Sequence, residues 1–108
     1  MPVTVHELDE IRQTFGLTKP ELAVLFGRQA PSVAEWAVRG IPADRRATAE
    51  RLVGLARLFR RQLIESRIPE IVRTKDSWLG NRTILQVLAS DGVDPIYAHL
   101  ARLFAYDR

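Results

Sequence analysis

The chain has no cysteine anywhere in its 108 residues and only two histidines. Without thiols there is no disulfide framework and no thiolate metal site, and two isolated histidines, His6 and His99, do not make a metal site by themselves. No apolar run approaches the ~20 residues needed to cross a bilayer. The opening residues, Met1 to Glu7, lack the basic patch and apolar core of a signal peptide. β-branched alternation, internal repeats and low-complexity tracts are missing as well. So are a phosphate-cradling glycine loop, a nucleophile elbow and any metal-ligand spacing. The acids sit singly at expected helix starts, where they serve as caps or dipole partners. His99 has nothing nearby in sequence to orient it as a base, and it is expected on the polar side of the last helix. These absences point away from an enzyme and towards a cytoplasmic binding protein.

What is present is mostly arginine and helical periodicity. Hydrophobic residues make up 46% and charged residues 27%, a balance suited to a soluble globular chain of one compact size. The formal charge of +3 is unevenly spread. Residues 28–75 carry ten arginines and one lysine against five acids, whereas both flanking segments are slightly acidic. Fourteen of the sixteen basic residues are arginine, the side chain suited to bidentate phosphate and carboxylate contacts. A basic centre favours a polyanionic partner through counterion release. A solvated helix face gives the same composition, and charge alone does not separate the two.

The periodicity predicts an all-α fold. Val5, Leu8, Ile11 and Phe15 form a first helical stripe ending at Gly16. Thr18 reads as an N-cap, with Pro20 in the first turn and Glu21 completing a capping box for a short second helix that buries Leu22, Leu25 and Phe26. After Gly27, Pro31 opens a third helix with Val33, Trp36 and Ala37 inward, stopping at Gly40. A long fourth helix is expected from Ala43 to Ile64, with Leu52, Leu55, Ala56, Phe59 and Leu63 in one stripe. Its arginines, Arg45, Arg46, Arg51, Arg57, Arg60 and Arg61, decorate the outside. Ser66 to Ser77 reads as a connector, Thr83 to Ala89 as a fifth helix, and Asp94-Pro95 as the cap of a last helix burying Ile96, Leu100, Leu103 and Phe104. Residues 1–65 are thus one region and 66–108 a second.

The spacing Ala23-x3-Gly27-x5-Val33-x2-Trp36 has a mechanical reading as a helix-turn-helix. Ala23 is small where the next helix crosses, Gly27 takes a positive φ in the turn, and Val33 and Trp36 pack on Leu22 and Phe26. Such a pair presents its second helix to a DNA major groove. The side chains then placed outward are Arg28, Gln29, Ser32, Glu35 and Arg39. Arg28 and Arg39 suit phosphates, and Gln29 and Ser32 suit base edges. Ala30 and Pro31 stand where polar base-contacting residues are usual, and Glu35 repels the phosphate backbone. A helix pair kept as a scaffold for protein contacts remains the competing reading. Together with Leu17-Thr18-x-x-Glu21-Leu22-Ala23 before it and Arg39-Gly40-Ile41-Pro42 after it, the motif resembles Xre/Cro-type repressor domains.

A second signature lies at Trp78-Leu79-Gly80-Asn81-Arg82-Thr83-Ile84-Leu85-Gln86-Val87-Leu88, followed by Leu100-Ala101-Arg102-Leu103-Phe104. A Leu-Gly-x-Arg-Thr loop entering a short helix, behind an Xre-like region, resembles the Xre/MbcA/ParS-type antitoxins over nearly the whole chain. Ile84 stands where that family's loop usually has Pro, and Lys75-Asp76-Ser77-Trp78 replaces a usual Asn-Pro stretch. The resemblance implies a type II antitoxin that neutralises a RES-domain, NAD-depleting toxin through its C-terminal two-helix region and binds operator DNA to autoregulate. It implies toxin contacts at Leu79, Gly80, Arg82 and Thr83, and at the chain end with Tyr106 and Arg108. Read from the residues alone, Gly80 permits close backbone approach, Thr83 caps the fifth helix and Arg82 suits a carboxylate partner. Ordinary packing of the fifth helix on the fourth is the competing reading for Trp78 and Leu79, and it is the one expected for Trp78. No cofactor is implied for this chain, and a homodimer contact at one end of the fourth helix is expected. A stand-alone Xre-type transcriptional regulator is the alternative.

Overall fold

The computed structural model describes residues 4–105, and the chain is all-α. Among the described residues there are seven α-helices and no strand: α1 (Thr4–Phe15), α2 (Lys19–Leu25), α3 (Ala30–Arg39), α4 (Ala43–Gln62), α5 (Ile68–Ile71), α6 (Ile84–Asp91) and α7 (Asp94–Ala105). Short 3₁₀ turns, Glu65–Arg67 and Ser77–Leu79, precede α5 and α6. The Val5 side chain and residues Tyr106 and Arg108 lie outside the described part.

Local chemistry sets most helix starts. The Glu21 N–H donates to Thr18 Oγ1 at 3.3 Å and the Thr18 N–H to Glu21 Oε1 at 2.8 Å, closing the expected capping box of α2. Thr83 and Gln86 repeat the arrangement at α6, at 3.1 and 2.8 Å. Each box satisfies two backbone donors that the helix cannot, worth about 1 kcal/mol. Asp94 differs from expectation. It lies inside the first turn of α7, and its carboxylate pairs with Arg51 of α4.

The core is one cluster running through both ends of the chain. α1 packs along α4, where Phe15 meets Phe59 edge-to-face with ring centroids 5.3 Å apart. Phe26 and Trp36 join α2 to α3 in the same way, also at 5.3 Å. Ala23 is fully buried beside them, and Gly27 takes φ +67 in the turn. Ala37 is exposed rather than inward, since it sits one residue and about 100° round the helix from buried Trp36. On α4 the stripe Leu52, Leu55, Ala56, Phe59 is buried as expected and is joined by Ala49 and Val53. The helix stops at Gln62, so Leu63 is half-buried and Ile64 exposed.

The expected connector is part of the core. Ile68 and Val72 are completely buried, and Pro69 sits against Gly16, where an added Cβ would lie 2.8 Å from the proline ring. Arg73 fastens this segment to the N-terminal helices. Its Nη2 donates to the Gly16 carbonyl at 2.8 Å and to Glu21 Oε1 at 2.6 Å, and Nη1 to the Phe15 carbonyl at 3.3 Å. Contacts therefore cross position 65 throughout. On α7, Ile96 and Leu100 are buried and Phe104 half-buried, but Leu103, one turn past the last buried position, is exposed.

Candidate recognition surfaces

The outer side of α3 collects four of the five residues expected to face DNA. Arg28, Ser32, Glu35 and Arg39 line a shallow depression of about 270 Å³ with Trp36, Gly40 and Pro42, and Gln29 lies outside it. Ser32 is half-buried and the other four are exposed. Glu35 reaches Arg39 at 3.4 Å, an i,i+4 pair on the surface, so one arginine is answered within the helix. Around them the surface is apolar and small: Ala34 and Ala37 are exposed, and Val38 is 85% exposed.

Much of the basic centre is used internally. Glu10 on α1 accepts from Arg57 Nε at 2.9 Å and from Arg60 Nη2 at 2.7 Å, a strap across the α1–α4 contact. The Arg57 hydrogen bond, followed by the charges of Arg57 and Arg60, holds the Glu10 carboxyl below its ordinary range despite partial burial. The same bond raises Arg57. Glu21 is likewise lowered, first by the Thr18 backbone N–H and then by Arg73. Arg51 is answered by Asp94, and Arg45 approaches Asp44 at 3.8 Å. Among the described residues Arg28, Arg46, Arg61 and Arg67 have no carboxylate partner. The charge surplus that composition displays is thus divided between α1–α4 packing and a smaller exposed set.

At the other end of the molecule the segment from Asp76 to Thr83 forms a closed loop. The Asp76 N–H donates to the Arg82 carbonyl at 3.1 Å, and the Asp76 carbonyl accepts from the Leu79 and Asn81 N–H groups at 3.0 and 2.9 Å. Gly80 and Asn81 both take left-handed conformations, with φ 72 and 60, which turn the chain back on itself. Leu79 is buried as an anchor. Arg82 donates to the Leu79 carbonyl at 3.0 Å, to Ser90 Oγ at 3.3 Å and to Asp91 Oδ2 at 3.1 Å. The Arg82 bond, with that of Ser90, lowers the Asp91 carboxyl. Of the residues expected to touch a partner here, Leu79, Arg82 and Thr83 therefore hold the loop together, and Gly80 shapes its turn.

Trp78 is what the loop offers to solvent. The expectation that it packs α6 on α4 is overturned, because it is 69% exposed. Its backbone N–H is tied to Asp76 Oδ1 at 2.8 Å, and the Arg102 guanidinium of α7 lies 5.1 Å from the ring centroid. Behind them is His99, which is 3% exposed and not on the polar side of α7. Its Nε2 lies 3.3 Å from Asp76 Oδ2, and its Nδ1 lies 3.3 Å from Arg102 Nη2. Arginine only donates, so Nδ1 is the acceptor and Nε2 carries the proton towards the carboxylate. The spacing Asp76-x-Trp78 is a legible turn signal, but the partners 23 and 26 residues further on are brought in only by folding.

On the other face of α7 from His99 and Arg102, an apolar groove of about 550 Å³ between the end of α4 and α7 is lined by Leu58, Tyr97, Leu100, Ala101 and Phe104, among others. Among the described residues no three of His, Asp or Glu gather as a metal site, and no helix is long and apolar enough to cross a membrane. Comparison with protein-family models, with curated proteins and with solved structures finds no match for this chain.

Proposed function

We propose that this chain is a two-ended regulatory protein of the Xre/MbcA/ParS antitoxin type, binding a RES-domain toxin through its C-terminal end and operator DNA through α2 and α3. The observation that carries the reading is the closed Asp76–Thr83 loop, which places a tryptophan in solvent instead of in the core. A large aromatic side chain recovers much free energy when buried, and exposing one on an over-determined loop suits a protein contact. The reading makes the chain a cytoplasmic binding protein with no chemistry of its own, paired as a homodimer along the apolar groove beside α7. The α3 depression, with Arg28 and Arg39, supplies phosphate contacts with few base readers, which suits autoregulation of modest specificity better than a stand-alone regulator.

The test uses the full chain, because Leu79, Ile84, Val87, Leu88, Ile96 and Leu100 belong to the core and truncation at residue 78 would remove them. Co-expression with a RES-domain toxin is expected to restore growth, and the two proteins to co-elute on gel filtration. Absence of both rescue and complex would refute the antitoxin reading. For the DNA arm, a duplex from upstream of the gene is expected to be retarded in a salt-dependent way. Arg28→Gln should weaken binding to all sequences alike and reduce the salt slope by about one. Retardation that ignores salt, or none at all, removes the DNA role.

A further inference from the structure

Trp78 and Arg102 come from separate elements and meet at the surface. The Asp76 carboxylate is divided between the Trp78 N–H and His99, and Arg82 is engaged by Asp91. Arg102 faces the indole and His99 and, among the described residues, has no carboxylate partner, and neither has exposed Lys75. The indole is thus flanked by Arg102 and by Lys75 three residues before it, two cations against the single carboxylate of Asp76, which leaves its surroundings net positive. On α7 the residues one turn either side on the Arg102 face are exposed Ala98 and Ala105, too short to hold a partner away. The loop beneath is closed by backbone bonds, a buried Leu79 and the Arg82–Asp91 bridge, so the side chain is presented without much ordering cost on binding.

We infer that Trp78 and Arg102 form the anchor of a protein–protein interface, with the indole entering an apolar pocket whose rim is acidic. The inference rests on the antitoxin reading for the identity of the partner and adds the chemistry of the contact. A tryptophan stacked by an arginine is the pairing in which binding energy concentrates at interfaces. The positive margin selects a partner of opposite sign, because a like-charged rim would be repelled as the site dries. Stacking of a single-stranded nucleic acid is disfavoured on this surface. Among the described residues one ring stands alone, its face shared with Arg102. His99 Nδ1, 3.3 Å from Arg102 Nη2, steadies the guanidinium beside the ring.

The experiment is calorimetric titration of the full chain and its variants into a purified RES-domain toxin. Trp78→Ala is expected to weaken binding about 30-fold and Arg102→Gln about tenfold, with Arg102→Lys between the wild type and Arg102→Gln. Raising the salt should weaken the wild type more than Arg102→Gln. Trp78→Ala leaves Trp36 as the sole tryptophan. Because Trp36 is buried and Trp78 exposed, a maximum shifted to the blue of the wild type, and moving red in urea, shows that the variant is folded. If the wild type binds and both variants bind equally well, the anchor is elsewhere and the inference fails while the antitoxin reading stands. If the wild type does not bind, both fail. Saturable quenching of Trp78 by a single-stranded oligonucleotide that displaces the toxin would overturn the assignment of this surface to a protein.

Discussion

Glu10 shows how one carboxylate can decide where two arginines point. It draws Arg57 and Arg60 of α4 onto α1. The folded state thereby holds its carboxyl below the ordinary range. The stabilisation this brings is fully present above the unfolded value of ~4.3 and is lost as pH falls through the lower folded value. Glu21 and Asp91 are depressed in the same direction and add to the same acid window. Urea midpoints should therefore fall as the solution is taken below the carboxylate range. Glu10→Gln should be less stable than the wild type at neutral pH, with the deficit vanishing in acid. A deficit that persists unchanged in acid would show that Glu10 acts through packing and not through its charge. Residues whose partners are three or four positions away, such as Thr18 with Glu21 and Thr83 with Gln86, were legible in the sequence, because the geometry of one helical turn fixes who meets whom. Trp78 and His99 were not. One was expected inward and the other outward, and the structure places each the other way. A tryptophan is ordinarily worth burying and a histidine ordinarily worth wetting. The loop closed around Asp76 reverses both preferences by giving buried His99 a carboxylate partner and by holding Trp78 at the surface through its backbone N–H.

Helices α1, α2, α3, α4, α6 and α7 all follow from periodicity and caps, with boundaries moved by a few residues. α5 did not follow, since four residues between a proline and a charged stretch carry too little pattern to distinguish a helical turn from a linker. Its importance comes from what it touches. Pro69 packs on Gly16, and the backbone there is left-handed, with φ +66. Any side chain at position 16 meets both the strained conformation and the proline ring. Gly16→Ala is expected to cost about 1–3 kcal/mol in urea denaturation. In a Pro69→Gly background Gly16→Ala should cost less, because the ring Cβ and Cγ, both 2.8 Å from the added carbon, are gone while the φ strain remains. A neutral Gly16→Ala would mean that α5 moves freely over the end of α1. At α3 the same scale explains an outer face thin in polar side chains. Residues that pack inward, Val33 and Trp36, were placed correctly, and the outward positions between them turned out small or paired within the helix.

For the whole molecule, the core runs without interruption from α1 through α5 to α7. Arg73 alone bonds to the end of α1, to Gly16 and to the capping glutamate of α2, 52 to 58 residues away. A chain built this way should unfold in one cooperative step, with far-UV circular dichroism and tryptophan fluorescence giving the same urea midpoint. Two separated transitions would show instead that residues 1–65 and 66–108 are independent units. The sequence by itself determined the all-α class, the helix starts and the inward stripes, because each depends on hydrogen bonds and side-chain spacing within a turn or two. Only the tertiary structure decided which arginines find no carboxylate within the described residues, that the supposed connector is core, and that Trp78 is exposed while Arg82 is bonded within the C-terminal loop. Those outcomes depend on pairings between groups 9 to 58 residues apart, from Arg82 with Asp91 to Arg73 with the Phe15 carbonyl. Charge and hydrophobicity along a chain say which groups need partners, and only the packed fold says which partner each one finds.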